Sequence, residues 1–342
     1  MNAEILVVGQ GLAGTLLARE LERAGLAFQI ADSGIEQVAS RVAAGIINPV
    51  TGRRLVKSWR IDTLLPVARA AYREFEAALG VTLWREMRVR RLLADDRERR
   101  TFADKQARAE LAPYAGVAAQ GNSEGDDGFW IDGAARVDLP ALLGAARERW
   151  RIQGRLRPET IDAAAEAGRH ELVIDCSGMA AVRGGEFGFI PWEFSKGELL
   201  SIAVEGLAPD VILNRGHWIL PVAPGAALVG ATHEPGVLAP EPTAAGRAAL
   251  EASARTLLNR PFQVTGQRAG IRVNLPDKHP VVGRLPGNRR LGLINGLGAK
   301  GALVAPALAQ QWVRHLVDGA AFDPALDVGR WLHDPKARVA SK

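Results

Sequence analysis

Ile5-Leu6-Val7-Val8-Gly9-Gln10-Gly11-Leu12-Ala13-Gly14 is the stretch that decides the fold. Its first four residues are a short, unbroken apolar run, the pattern of a strand buried on both faces of a parallel sheet. Beyond the glycines, Leu12, Leu16, Leu17, Leu21 and Ala24 recur at helical spacing, with Arg19, Glu20, Glu22 and Arg23 on the other side. Gly25 ends the helix, and a second strand over 27–31 stops at Asp32. Each part has a physical task. Gly9 permits the tight turn, Gly11 lets a pyrophosphate approach the backbone, and Gly14 lets helix and strand pack closely. The helix start at Leu12 and Ala13 offers free N–H groups and a positive dipole end to phosphates. Asp32, with Ser33 beside it, stands where an acid accepts the ribose hydroxyls of a dinucleotide. That acid does not separate NAD from FAD, since both carry an adenosine ribose diol.

Further glycine-rich stretches follow. Ala39 to Pro49 is a small-residue segment running into Ile46-Ile47. Alone it reads as an Ala-rich helix start, but small side chains also suit a backbone lying against a flat ring system. On that second reading Ser40, Arg41, Ala43, Ala44, Gly45 and Ile46 are cofactor contacts, and Asn48 either turns toward ring or substrate or caps the turn before Pro49. Near the other end, the strand 289–295 leads into Gly296-Leu297-Gly298-Ala299-Lys300-Gly301 and a long apolar helix with Leu303, Leu308, Trp312 and Leu316. That helix start can stabilise negative charge on a reduced flavin. A third strand end is Leu172-Val173-Ile174-Asp175-Cys176-Ser177-Gly178. Three glycine turns are thus expected to converge on one nucleotide.

Taken together, GQGLAG (9–14) with Asp32, SRVAAGIINP (40–49), ARVDLPALL (135–143), VIDCSG (173–178), WILPVAPGAALVGATHE (218–234), AGIRVNLPDKHPVVG (269–283) and GLGAKGALVAPALA (296–309) span nearly the whole chain. In this order they resemble the D-amino-acid oxidase and glycine oxidase family of FAD-dependent oxidoreductases. The last motif also looks like the oxidase half of the bifunctional enzyme that modifies tRNA wobble uridine. The resemblance implies an α/β fold, with a Rossmann-like FAD-binding domain and an inserted α+β substrate domain built on a mostly antiparallel sheet. The expected division assigns 1–75, 135–190 and 275–342 to the first and 76–134 and 191–274 to the second. It implies oxidation of the C–N bond of a small amine or amino acid by hydride transfer to flavin, after which an imine hydrolyses.

Site roles follow from the same resemblance. Arg272 matches the position that holds a substrate carboxylate, and its planar fork suits two oxygens; on its own it would read as a solvated strand arginine. The family commonly continues with Pro where this chain has Val273-Asn274. Trp218 matches an aromatic facing the substrate cavity, the other reading being a core tryptophan. His217 would point to the opposite strand face. Lys300 is either a solvated helix-start lysine or a cation near the pyrimidine edge of the flavin. Cys176, the only cysteine, reads as a small buried residue. Relatives that tether flavin do so through a cysteine in the C-terminal third, so FAD is expected to bind non-covalently.

The rest of the chain adds limits. Met87-Arg88-Val89-Arg90 alternates like a half-buried strand, with Arg85, Arg88, Arg90 and Arg91 as the wet side of an edge strand. Arg53, Arg54, Lys57 and Arg60 form a basic cluster for an acidic substrate or a tRNA phosphate, or else a solvated helix face. Residues 191–204 and 211–231 contain strand-like runs, 242–260 has helical spacing, 121–128 reads as an exposed loop and 333–342 as a solvated tail. With 342 residues, 47% hydrophobic and 24% charged, the chain is an ordinary globular protein of about two domains. A lone cysteine and six histidines exclude a disulfide scaffold and a Cys-rich metal site. A net charge of +5 permits nucleic-acid binding without demanding it. No stretch is apolar and long enough to span a bilayer, and Met1-Asn2-Ala3-Glu4 lacks the basic start of a secretory signal, so the expected location is the cytoplasm. Three rival readings remain: an oxidase acting on a carboxymethylamino group of tRNA, weakened by the lack of a methyltransferase half; oxidation of a hydroxyl, as in glycerol-3-phosphate dehydrogenases; and a non-catalytic flavoprotein subunit.

Overall fold

The computed structural model describes residues 5–34, 38–115, 118–119 and 128–332. Of the loop expected over 121–128, residues 121–127 lie outside the described residues and Gly128 instead opens a strand; the expected tail over 333–342 also lies outside the described residues. The chain opens with β1 (Ile5–Val8), α1 (Leu12–Arg23) and β2 (Phe28–Ala31), then α2 (Ala39–Val42), β3 (Ile46–Ile47), β4 (Val50–Thr51), β5 (Val56–Lys57) and the long α3 (Ile61–Leu79). The middle runs through β6 (Trp84–Leu92), α4 (Asp96–Ala107), β7 (Ala118–Ala119), β8 (Gly128–Val137), α5 (Leu139–Ile152), β9 (Leu156–Arg157), α6 (Ala163–Glu166), β10 (Leu172–Asp175) and α7 (Met179–Arg183). Next come β11 (Glu193–Ala203), β12 (Val211–Arg215), β13 (His217–Ala223), β14 (Ala226–Gly230), β15 (Glu234–Pro235), α8 (Ala244–Leu258) and β16 (Gln263–Asn274). The strands β17 (Val281–Leu285) and β18 (Asn288–Asn295) lead to α9 (Gly301–Asp318).

Two sheets organise these elements. The first has the order β17-β18-β10-β1-β2-β9, parallel except for the β17–β18 hairpin. In it β1 is central, with Val7 between Ile174 and Ile30, and all four of its residues are buried. One face packs Val7, Leu17 and Ile174 against Leu308 and Trp312 of α9 and Phe75 of α3. The other face packs Leu6, Val8 and Val173 against Phe187, Leu291 and Trp331. The unbroken apolar run of β1 is the sequence consequence of this double burial.

The second sheet has the order β15-β11-β14-β13-β12-β6-β8-β3, with β16 on β11 and β7 on β8. It is antiparallel except where β12 runs parallel to β6. Its α8 face buries Leu200, Ile219 and Leu250. Its opposite face buries Met87, Val89, Ile212 and Leu220 with Val50, Leu55 and Phe102 from the β4–β5 hairpin and α4.

Two expectations about the basic residues are corrected here. The strand β6 is not an edge strand: β12 and β8 flank it. Arg85 and Arg88 do face solvent and Arg90 is half-buried, but Arg91 is 7% exposed, because residues 87, 89 and 91 alternate onto the face covered by the hairpin and α4. The cluster Arg53, Arg54, Lys57 and Arg60 is no helix face. It belongs to the β4–β5 hairpin and the turn before α3. Three of its members are already ion-paired, Arg53 with Asp95 and Lys57 with Asp62, both at 2.8 Å, and Arg60 with Asp323.

Trp312 ties α9 to the first sheet. It is fully buried, its indole lies where Gly292 leaves room, and its N–H donates to the Leu293 carbonyl at 3.3 Å. Trp312→Ala is expected to cost about 3–5 kcal/mol, read as a lower urea midpoint at constant m-value. A loss under about 1 kcal/mol would show that α9 does not depend on this contact.

Candidate functional site

The glycine turns meet at the ends of β1, β10 and β18. Gly9 has φ +91°, and a Cβ on it would lie 2.8 Å from Ser177 Cα. A Cβ on Gly14 would lie 1.9 Å from the Gly9 carbonyl oxygen, so only glycine lets α1 start this close to β1. The Asn295 amide donates to the Gly178 carbonyl at 2.8 Å, joining the second and third turns. A Cβ on Gly301 would stand 3.2 Å from Leu12 Cδ2, so the starts of α9 and α1 are neighbours. Neither helix is capped by the side chain of its own first residue, Gly11 or Lys300. Apart from the Leu12 N–H, which Ser40 takes, their free N–H groups and dipoles form an anion-favouring zone.

The small-residue segment lies against this zone. Ser40 Oγ accepts from the Leu12 N–H at 3.0 Å, and α2 packs on β16 across Gly270. Arg41 and Ala44 are half-buried and Ala43 is exposed, while Ala13 is buried in the first turn of α1. Gly45 is explained by strand pairing. At φ +74° its Cβ would lie 1.9 Å from the Val137 carbonyl, and its own carbonyl accepts from the Val137 N–H at 2.9 Å. Ser177 donates twice to Asp175, from N–H at 2.9 Å and Oγ at 2.6 Å. Burial pushes the Asp175 carboxyl above its ordinary range, against those hydrogen bonds.

Asp32 is held more firmly than its sequence position suggests. Oδ2 accepts from the Gln10 N–H at 2.8 Å, and Oδ1 accepts from Gly34 N–H at 2.8 Å and from Arg147 Nη1 at 2.7 Å. Arg147 Nη2 also donates to the Asp32 carbonyl, and Nη1 to Gln10 Oε1. Ser33 beside it is exposed. Arg147, on α5, went unread in the sequence because nothing local links it to an acid 115 positions away.

A cavity of about 270 Å³ opens beside these turns. Ile46, Asn48 and the hairpin form one wall, Ala299 and Lys300 another, and Trp218, Asn214 and Arg91 of the second sheet the floor. Asn48 Oδ1 accepts from the Val50 N–H at 3.1 Å, so it caps the turn while lining the cavity. Trp218 packs partly on the core below. His217 points the other way, its Nδ1 2.6 Å from Ser253 Oγ on α8. Lys300 is half-buried and has no ion pair among the described residues; burial pulls its ammonium below the usual lysine range. Ala299 is exposed, and a Cβ on Gly298 would lie 2.6 Å from Asn274 Oδ1.

Arg272 does not line this cavity. It sits on the same second sheet, on β16, with its guanidinium over Gly197 of β11. Its Nη1 donates only to the carbonyls of Lys196 and Thr232, each at 3.4 Å, and no carboxylate pairs with it among the described residues. Burial lowers its pKa from the usual arginine value. Arg91 lay outside the expected site. The signal that could have found it is Asp95-Asp96-Arg97-Glu98, the acid-x-x-Glu pattern of a helix start, which places carboxylates immediately after β6.

A parallel dinucleotide-binding sheet joined to an antiparallel sheet that floors a cavity defines a two-sheet nucleotide-dependent oxidoreductase. Residues 4–314 match the model of the family described as FAD dependent oxidoreductase, and the chain belongs to that family of enzymes. It is 31% identical to the tRNA 5-methylaminomethyl-2-thiouridine biosynthesis bifunctional protein of Maricaulis maris over 95% of its own length, spanning about half (53%) of that relative. It is 26% identical to the glycine oxidase of Pseudomonas aeruginosa, covering 95% of this chain and 99% of that one. The glycine oxidase structure from Geobacillus kaustophilus superposes with a TM-score of 0.78 at 21% identity, over 94% of this chain and 97% of that one. The residues present fit FAD: helix starts without a side-chain cap from Gly11 or Lys300 suit an anionic group, and the Asp32 carboxylate suits a ribose diol. Among the described residues no helix is long and apolar enough to cross a membrane.

Arg147→Met leaves Asp32 without its only charged partner among the described residues. We expect FAD to bind about tenfold more weakly, the worth of one charge-assisted hydrogen bond, measured by flavin fluorescence on titrating apoprotein. Unchanged affinity would show that Arg147 does not hold Asp32 in its binding orientation.

Proposed function

We propose that the protein oxidises the C–N bond of a small amine or amino acid, of the glycine or D-amino-acid type, with FAD held non-covalently and in the cytoplasm. The observation that carries this reading is Arg272: a largely buried guanidinium without an acidic partner among the described residues, on the sheet that carries Trp218. A buried cation left this way is costly unless a ligand supplies the anion, and a substrate carboxylate does so. Bound FAD supplies the hydride acceptor. The chain's part is to hold the carboxylate at Arg272, to place the amine-bearing carbon with Trp218 and Ile46, and to keep water out with the hairpin. Lys300 contributes a positive charge toward the flavin edge. The first sheet then serves the cofactor and the second the substrate. The cofactor set we assign is Gly9, Gly11, Leu12, Ala13, Gly14, Asp32, Ser40, Arg41, Ala44 and Ile46 with the turns at Ser177–Gly178 and Gly298–Gly301.

The similarity to the bifunctional tRNA-modification protein favours a second reading, in which the amine is a carboxymethylamino group on tRNA. The ion pairs of Arg53, Lys57 and Arg60 already occupy much of the basic cluster that would meet phosphates.

Anaerobic mixing with a panel of amino acids, N-substituted glycines and modified tRNA tests both. Bleaching of the flavin by a small amine is expected; bleaching by tRNA alone would select the second reading, and bleaching by none would overturn both. Arg272→Met is expected to raise KM for carboxylate substrates about 100-fold, the cost of removing one partner of a buried charged pair. A KM within a few-fold of wild type would remove Arg272 from this role.

A further inference from the structure

Arg91, Asn214 and Trp218 stand side by side across three neighbouring strands of the second sheet. Arg91 pairs in register with Asn214, and Asn214 with Trp218. All three face the cavity. The row is chemically graded, from a guanidinium and an amide at one end to an indole in the middle. Beyond Trp218 the indole lies across Gly230 against Leu199, and the next strand, β11, carries the Arg272 head over Gly197. At a strand spacing of about 4.8 Å, Arg91 and the Arg272 head are each roughly 10 Å along the sheet from the Trp218 strand, on opposite sides.

Arg91 is fixed from behind. Its Nη2 donates to Glu98 Oε1 at 3.0 Å, and Nη1 to Asn214 Oδ1. Glu98 is itself anchored at the start of α4, where Oε2 accepts from the Ala94 N–H at 3.0 Å and its own N–H donates to Asp95 at 2.9 Å. Part of the guanidinium is left over, since Arg91 Nε is buried without an acceptor among the described residues. With Asn214 Oδ1 spent on Arg91, that amide has its NH₂ to offer, so this end presents donors. The charges also fail to balance. Arg53 and Arg91 share Glu98 and Asp95, with Arg53 3.7 Å from Glu98 and 2.8 Å from Asp95, so the two arginines are balanced, and the cation left over is Lys300 on the other wall, which has no carboxylate partner among the described residues.

We propose that Arg91 and Asn214 form an anion-binding end of the cavity, separate from the Arg272 head outside its lining, and that the substrate is an extended amine carrying a further carboxylate remote from the carbon that is oxidised. This rests on the amine-oxidising reading above. One carboxylate meets Arg272, the reacting carbon lies near Trp218, and the second carboxylate meets Arg91 and Asn214. An apolar tail is disfavoured there because it would bury the Asn214 NH₂ group without an acceptor.

The test compares α-amino diacids of increasing length with their side-chain amides, which match them in shape but lack the second charge. In the wild-type holoenzyme, kcat/KM from anaerobic flavin bleaching is expected to favour the diacid at least tenfold at the best length. That ratio should fall to within about threefold in Arg91→Gln and in Asn214→Leu, and recover in part in Arg91→Lys. A wild-type ratio near one at every length overturns the proposal, as does a ratio that survives both variants. Should Arg91→Gln fail to fold, the wild-type ratio and Asn214→Leu decide the matter alone. If no amine bleaches the flavin, the oxidase reading falls by itself. Binding of amine-free diacids against their half-amides, read from the perturbed flavin spectrum, then decides: tenfold tighter diacid binding supports the second anion end, and equal binding overturns it.

Discussion

Gly14 lies so close to the Gly9 carbonyl that a single methyl group would not fit between them, and the rest of the site depends on that closeness. It brings the start of α1 onto the end of β1, and from there Ser40, Ser177 and Gly301 are all within reach of the same small space. A larger side chain at either glycine would push α1 outward and separate the two helix starts whose dipoles add there. The double burial of β1 fixes the frame against which this approach is measured, because a strand packed on both faces has no freedom to shift and relieve a clash.

The second sheet has a different logic. It uses its α8 face to build an ordinary apolar core, while its other face is apolar over most of its length and polar at the cavity. On that other face the apolar residues Met87, Val89 and Leu220 give way, within a residue or two along the same strands, to Arg91 and Trp218. The cavity floor is thus the frayed end of a core. Its polar members are buried because the hairpin and α4 cover them, and that cover also supplies the carboxylates that offset them.

How much of this was readable in the sequence depended on the distance between partners. The β1–α1–β2 unit, the three glycine turns and α9 were legible because periodicity and turn chemistry are local. Arg91 was not, because its burial is decided by the hairpin and α4 that cover its face of the sheet, which β6 alone cannot announce. The clamp of Arg147 on Asp32 was hidden for the same reason. The hairpin over 50–57 escaped because two-residue strands leave no alternation to detect, so its arginines passed for a helix face. Gly45 was read as a cofactor contact, and its glycine character is accounted for by the Val137 carbonyl.

The hairpin that walls the cavity is fastened in two unlike ways. Val50 and Leu55 are buried beneath it, whereas Arg53, Lys57 and the adjoining Arg60 hold its rim through ion pairs at partly exposed positions. Exposed pairs of this kind are each worth at most about 1 kcal/mol and are weakened by dissolved electrolyte, while the apolar attachment is not. Dissolved salt therefore loosens the rim of this cavity wall while its buried foot stays packed.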